Sequence, residues 1–443
     1  MMLGIGEFAV KEALKRGADE AEVFLGIERE LSVTFERNDV NLGKAHEMSG
    51  VGIRVFKNKA LGFSSVNSLA NGDISKAVEN SIKLAKNSPP DKYNELPDKR
   101  PIRKVPGIFD KDSGGFRSTD ALEHATRMFR SAKDYDERIT VDSCTFAASM
   151  GERAVVSSRG VGCEERFSTF TYNIIGMARD GEEVSTMDYL FDGNHSAKEI
   201  DCEEMARDFA ERVVKSLGAK KIESFMGSIL LSPMTSVELL GSLLSFSCNS
   251  NKVQKGASKF RDKLGKGVAS GILTARDDGS LPGGLGSASF DREGLPHSPL
   301  PLIEKGTLKA FMYNSYTARK EDRDSTSHAA GGTRDVPSIA PTNLMIEPGR
   351  EGWMDIVKDI RKGILVNRFS GFPDPISGDF SGVVKGGWLI ENGELVKPVI
   401  ETMIAGNIFE LLRKVSAISK ERRKLYNFIM PYIRIDDVSV TGG

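Results

Sequence analysis

Trp388-Leu389-Ile390-Glu391-Asn392-Gly393-Glu394 decides how the C-terminal half of this chain is read. An apolar run stops at Asn-Gly, and the tightest hairpin turns require positive φ at both central positions, which Asn and Gly supply at least cost. The segment predicts two antiparallel strands joined by a two-residue turn. Glu304-Lys305-Gly306 carries a weaker signal of the same kind. Working back, Ser228 to Leu231 reads as a strand, Pro233 as punctuation and Thr235 to Phe246 as an apolar helix. A glycine-rich reach follows from Asp278 to Gly294, including Pro282-Gly283-Gly284-Leu285-Gly286. With short helices over Trp353 to Lys362 and Asn407 to Lys414, residues 223–443 form a β-rich, barrel-like C-terminal domain.

The N-terminal half alternates helix and strand, so the class is α+β. Glu7 to Arg16 is a short amphipathic helix stopped by Gly17, which tolerates a left-handed cap. Leu31, Val33 and Phe35 alternate with Ser32, Thr34 and Glu36, and Val51, Ile53 and Val55 repeat that period of two. Lys57-Asn58-Lys59 reads as a turn before Leu61 and Phe63, and Asp73 as the cap of a helix carrying Ile74, Ala77, Val78, Ile82 and Ala85. These residues make a first unit, 1–87. Residues 88–107 hold Pro89, Pro90, Pro97, Pro101 and Pro106 among charges, the composition of an extended connector. A second unit, 108–222, repeats the plan. Thr119 or Asp120 caps its first helix, strand-like text runs from Ile139 to Leu190 with a turn at Asp180-Gly181, and Met205, Phe209 and Val213 mark its last helix.

Composition narrows the function classes. At 443 residues the chain needs two or three cores. A net charge of -1 with scattered lysines and arginines gives no footprint for nucleic acid or an anionic membrane. No apolar stretch nears the roughly 20 residues that span a bilayer, and Met1 to Glu7 lacks the charged and apolar regions of a secretory signal. Cys144, Cys163, Cys202 and Cys248 are far apart and form no Cys-x-x-Cys pair, so they read as reduced, buried small side chains. The expected location is the cytoplasm.

Chemistry-bearing motifs are sparse. His46, His124, His195, His297 and His328 are each isolated in sequence, and no second histidine follows His46-Glu47 at helical spacing. A hydrolytic metal site needs two or three converging ligands, so only a dispersed set such as His297, His328, Asp277 and Asp278 would serve. There is no Gly-x-Ser-x-Gly elbow and no Gly-Lys-Ser/Thr phosphate loop. The glycines at 283–286 either bring backbone close to a ligand or strand, or form a plain surface loop.

Two blocks, Ser377-Gly378-Asp379-Phe380-Ser381-Gly382 and Trp388 to Glu394, together with Pro398-Val399 and Ala405-Gly406-Asn407, resemble the TldD/PmbA family of cytoplasmic peptidases. The resemblance implies a landmark, His-Glu-x-x-x-His, whose histidines bind zinc, followed by Asp-Asp-Gly, with a further cysteine ligand near the C-terminus. Here Asp277-Asp278-Gly279 matches the later landmark, and counting back places the motif on Val237-Glu238-Leu239-Leu240-Gly241-Ser242. Glu238 and Gly241 stand, Val237 and Ser242 occupy the histidine positions, and no cysteine follows Cys248. Residues five apart do not share a face of a straight α-helix, so the motif needs a local distortion that Gly241 would permit. Glu238 itself reads either as a local pairing carboxylate or as a remnant of the site.

That pattern is similar to the TldE (PmbA) branch, whose members lack the zinc motif and pair with a TldD-like subunit. The resemblance implies no cofactor in this chain, zinc in the partner, an unfolded peptide as substrate and a homodimer as a further assembly. Phe369 to Pro375 with Ser377 to Ser381, above all Phe372, Asp374, Ser377, Gly378, Asp379, Phe380 and Ser381, form the candidate substrate or partner loop, or else a rigid supporting turn. A stand-alone metallopeptidase using the dispersed set, and a regulatory module acting on gyrase or toxin–antitoxin proteins, are the alternatives.

Overall fold

The computed structural model describes residues 1–36 and 39–443. Helix α1 (Met2–Lys15) begins earlier than its charge pattern predicts, because Met2 is buried and Gly6 lies where a Cβ would strike Val156. It ends on Gly17 at φ +94°, with Gly17 and Ala18 N–H groups donating to the Leu14 and Ala13 carbonyls. That double bond closes the orphan carbonyls of the last turn. Strands β1 (Glu20–Glu36), β2 (Asp39–Lys57) and β3 (Ala60–Val66) follow, with Asn58 and Lys59 both at positive φ in the predicted turn. Helix α2 (Asn71–Asn87) is flanked by Ala70, and Asp73 lies in its first turn rather than at the cap. There its charge still faces the positive end of the helix.

The second unit contributes α3 (Ser118–Lys133), β4 (Ile139–Ser157), β5 (Gly162–Asp180), β6 (Glu183–Val184), β7 (Asp188–Asn194) and α4 (Cys202–Lys215). The cap position of α3 is Arg117, whose N–H donates to Asp120 at 2.7 Å, so Asp120 closes the turn from inside it. Both units share one antiparallel sheet of order β3-β2-β1-β4-β5-β6, with β7 also on β5. The period-two residues explain why. Val23, Leu25, Val51, Ile53 and Val55 face α1 and α2, while Leu31, Val33, Phe146, Phe170 and Ile174 face α3 and α4. Two helix pairs thus cover successive stretches of the same long strands.

The C-terminal region begins with β8 (Phe225–Leu231) and α5 (Pro233–Ser236). Its Asn392-Gly393 turn forms as read, with both residues at positive φ, and so does Lys305-Gly306. The barrel expectation needs correction: the strands make an open, branched sheet. The long strand Phe428–Thr441 pairs in sections with Leu344–Ile346, Val415–Leu425, β8 and Met403–Asn407. Each edge of this strand passes from one neighbour to another along its length, so pairing forks around it instead of running on to close.

Residues 88–107 form no helix and little strand, yet they are docked. Leu96 is buried, Arg319 donates to the Glu95 and Leu96 carbonyls, and the Val105 N–H donates to Ser289. A buried ionic chain also joins the first sheet to the C-terminal region. Arg54 lies 2.6 Å from Glu22 and 2.9 Å from Glu293, and Arg292 lies 2.9 Å from Glu22. Burial works against the Arg54 charge, but the two carboxylates outweigh it and raise its pKa. Nearby, Thr333 rests on Gly26, Gly50 and Gly52; a Cβ on Gly52 would lie 2.4 Å from the Thr333 carbonyl oxygen. Among the described residues no helix is long and apolar enough to cross a membrane.

Candidate functional site

The predicted helix from Thr235 to Phe246 is interrupted at Val237–Gly241, within the candidate motif position. Val237–Gly241 is a π-turn between α5 and α6 (Ser242–Ser247). A π-turn bonds i to i+5 and so stacks residues five apart on one side of the helix. Ser242 Oγ accordingly donates to the Val237 carbonyl at 3.3 Å. Gly241 packs against the next element, since a Cβ there would sit 3.0 Å from the Phe428 ring and 3.3 Å from Met430. The distortion that histidines at 237 and 242 would need is present, with valine half-buried and serine exposed.

Glu238 is held from outside its own helix. Tyr189 Oη donates to its Oε1 at 3.0 Å, and the Phe369 N–H donates to its Oε2 at 2.7 Å. Burial raises the Glu238 pKa above the ordinary carboxylate range, and burial with the Glu238 charge pushes the Tyr189 phenol up to about 12. Arg368 stacks its guanidinium 4.0 Å from the centre of the Tyr189 ring, and its Nε lies 3.5 Å from Asp188 Oδ1. Arg368 Nε and Nη1 are shielded from water and make no hydrogen bond. Phe191 and Tyr426 extend the stack at centroid distances of 6.2 and 4.6 Å.

The geometry does not fit a zinc ion. Neither position 237 nor position 242 offers an imidazole or carboxylate, and both oxygens of Glu238 already accept hydrogen bonds. Asp188, Tyr189 and Arg368 carry no motif, and only the fold brings them beside Glu238. Alternation of Tyr189 and Phe191 marks a strand face, but nothing in the sequence pairs that face with residues 238 and 368.

The dispersed set does converge. Asp277, fully buried, accepts from the Thr342 N–H at 2.9 Å, from the Thr342 hydroxyl and from His328 Nε2 at 3.0 Å. His328 Nδ1 is engaged in turn by Thr326. The His297 ring lies 6.5 Å from that of His328, edge to face, and burial with this neighbour pushes its pKa down to about 3. Asp278 turns away to accept from the Ser280 N–H and hydroxyl at 2.9 and 2.7 Å. Asp277 Oδ1 and both ring nitrogens of His328 are engaged within the cluster. Among the described residues no group of three or more His, Cys, Asp or Glu side chains is placed to hold one.

The glycine reach allows close backbone approach rather than flexibility. A Cβ on Gly286 would lie 2.0 Å from the Thr342 carbonyl, and His195 lies 2.9 Å from the Gly284 carbonyl oxygen. His124 stacks on Phe146 at 4.9 Å, His46 is exposed, and all four cysteines are buried and free.

The Phe369–Ser381 segment divides by role. Phe369 and Phe380 point inward and meet at 5.8 Å. Asp374 accepts from the Ile376 N–H at 2.8 Å, Ser377 Oγ accepts from the Asp379 N–H at 3.1 Å, and Gly378 sits at φ +83° against Phe409. Phe372 is 98% exposed at the tip, and Asp379 and Ser381 are also exposed.

Comparison with known proteins fits this arrangement. Sequence models of one family match in chain order: PmbA/TldA metallopeptidase domain 1 over residues 21–85, the central domain over 115–217 and the C-terminal domain over 226–442. The chain belongs to the PmbA/TldD family. Within the family it is 25% identical to the metalloprotease PmbA of Escherichia coli O157:H7, covering 98% of this chain and 96% of that protein. It is 28% identical to an uncharacterized protein of Methanocaldococcus jannaschii, covering 92% and 93% of the two chains. The crystal structure of TldE from Thermococcus kodakarensis superposes with a TM-score of 0.91 at 24% identity, over 99% of this chain and 100% of that one, so the PmbA/TldD fold is shared end to end.

Proposed function

We propose that this chain is a non-catalytic, peptide-holding subunit of a TldD-type zinc peptidase, working in the cytoplasm. The observation that carries the reading is the π-turn. It keeps the geometry of a two-histidine site while Val237 and Ser242 leave it without ligands and Tyr189 and Phe369 occupy both oxygens of Glu238. Without a bound metal there is no acidified water to attack an amide. The chain's contribution is then to wall a chamber and grip an unfolded substrate.

Strand addition suits that task, because main-chain bonds hold any sequence. β2 supports it: β1 pairs along the whole of β2, whereas β3 pairs only from Val51 to Lys57. Asn41 and Gly43–Met48 are exposed along the stretch that β3 leaves open. The test is to co-purify the chain with a His-Glu-x-x-x-His relative and measure hydrolysis of an unfolded peptide. The pair is expected to cut and each chain alone to be inert. Full activity of the zinc-bearing chain by itself would remove the proposal.

A further inference from the structure

We infer that the cavity between α4, β7, α5 and the strand Val415–Leu425 is a binding site for a free apolar α-amino acid, held by both of its charges. Its volume is about 300 Å³, at the lower end of small-molecule sites. It lies where the central unit meets the C-terminal region, a junction of the kind such sites favour. Leu190, Pro233, Met234 and Leu425, all buried, supply an apolar floor. Tyr432 and Trp353 add a wall of two rings stacked at 4.8 Å. Successive side chains alternate along β7, so Leu190 faces this cavity while Tyr189 faces Glu238. The site is therefore separate from the π-turn cluster.

Arg212, Glu421, Arg422 and Arg423 line the same cavity, and two of them have partners outside it. Arg423 Nη1 lies 3.5 Å from Asp208, and Arg422 Nη1 lies 3.8 Å from Glu347. Arg212 and Glu421 form no ion pair among the described residues, either with each other or with a third group. The Arg212 guanidinium also makes no hydrogen bond there, although such a group carries five N–H donors. Glu421 Oε2 accepts from the Trp353 N–H at 3.0 Å, which fixes the carboxylate beside the stacked rings. Burial raises the Tyr432 phenol above its ordinary pKa, and the charges of Arg212, Arg423, Asp208 and Glu421 act on it, so these groups gather about one ring.

A cation and a carboxylate that share a cavity without meeting are complementary to a ligand that carries both charges. A free α-amino acid has a carboxylate for the Arg212 fork and an ammonium for Glu421, and charge-assisted bonds of this kind are the strong ones. An ammonium beside Glu421 is also next to the aromatic wall, a favourable place for a cation. The floor then takes the side chain, which selects leucine, methionine or phenylalanine over glycine or serine. A bare anion such as phosphate leaves Glu421 unmatched and the floor empty. Amino acids are end products of peptide hydrolysis, yet the assignment rests on the cavity and not on the peptidase-subunit reading.

The test uses the full-length chain and L-leucine, followed by the emission of Trp353. Trp388 is the only other tryptophan, so a Trp388→Phe chain emits from this cavity alone. A saturable change with a Kd on the order of 1 mM is expected. Leucinamide lacks the carboxylate and N-acetylleucine lacks the ammonium; each should bind at least about ten-fold more weakly, because each leaves one protein charge unmatched. Glycine should be weaker by about ten-fold or more for want of a buried side chain. Arg212→Gln should weaken leucine at least about ten-fold and leave leucinamide unchanged, whereas Glu421→Gln should weaken leucine and leave N-acetylleucine unchanged. Calorimetry on the native chain repeats the ligand series without any substitution. Failure to bind leucine overturns the inference. So does equal binding of leucinamide, N-acetylleucine or glycine, and so does inorganic phosphate that binds there as well as leucine. None of these outcomes depends on peptide hydrolysis, so this inference and the peptidase-subunit reading can fail separately.

Discussion

Two clusters in the C-terminal region bear on hydrolysis, and their side chains fall short of a metal-ligand set for opposite reasons. Around Glu238 the π-turn stacks positions 237 and 242, but valine and serine, which are not metal ligands, stand there. Around Asp277 the ligand types are present, but Asp277 Oδ1 and the His328 ring are already engaged by each other, by Thr342 and by Thr326. The difference shows that residue type and residue availability are separate questions. A histidine near an aspartate is a metal site only if both still have lone pairs to give.

The largest expected effect is the gain of a metal at the first cluster. Val237→His with Ser242→His places imidazoles five apart on an existing π-turn, and zinc at about one per chain should survive desalting, measured by elemental analysis. The native chain and each single variant should lose it. Failure of the double variant would mean that the π-turn alone does not preserve the site.

At the second cluster, Asp277→Ala strands the Thr342 N–H and hydroxyl and frees His328. Each unsatisfied buried group costs about 1–3 kcal/mol, so a loss of about 3–5 kcal/mol is expected in denaturant unfolding. A loss near zero would mean that water or a rearrangement satisfies them. Gly241→Ala should be milder. Overpacking against Phe428 costs about 1–3 kcal/mol, offset by about 1 kcal/mol of helix propensity, leaving a net loss of about 1 kcal/mol.

Glu238→Gln should change stability least, under about 1 kcal/mol near neutrality, because the amide can still accept from the Phe369 N–H and can donate to Tyr189. Its signature is in pH. Burial raises the folded pKa of Glu238 above its ordinary 4.5, so the native chain loses stability as pH rises through that raised value, and the glutamine variant does not. His297 slopes the other way. Its folded pKa is lowered to about 3 from 6.5, so stability is lost as pH falls between those values. Melting temperature against pH for Glu238→Gln and His297→Gln should remove opposite limbs of the native profile; changes of the same sign would refute the assignment.

Period-two alternation at Leu31–Phe35 and Val51–Val55, and the Asn392-Gly393 turn, were legible because each states a local preference that tertiary packing reinforces. The need for a distortion at Gly241 followed from the family resemblance, which places ligand positions five apart at 237 and 242. What could not be read was pairing between distant segments. Sequence does not say that Tyr189 reaches Glu238 or that Arg368 stacks on Tyr189, since those contacts depend on how two units dock. The barrel expectation failed for a related reason: strand count is local information, whereas branching around Phe428–Thr441 is decided by which neighbour each section of one long strand meets. The proline-rich stretch 88–107 reads as a connector by composition, but its docking comes from Arg319 and Ser289, far along the chain.

The pairing of β1 with β4 has a consequence for biosynthesis. More than a hundred residues separate the two strands, so at about 5–20 residues per second the ribosome delivers β4 on the order of 5–25 s after β1. During that interval the nascent chain presents one bare edge of β1, with Val23, Leu25, Leu31 and Val33 along the strand. Chaperones that bind extended apolar segments have a defined window in which to act, and it closes when Ile139–Ser157 emerges.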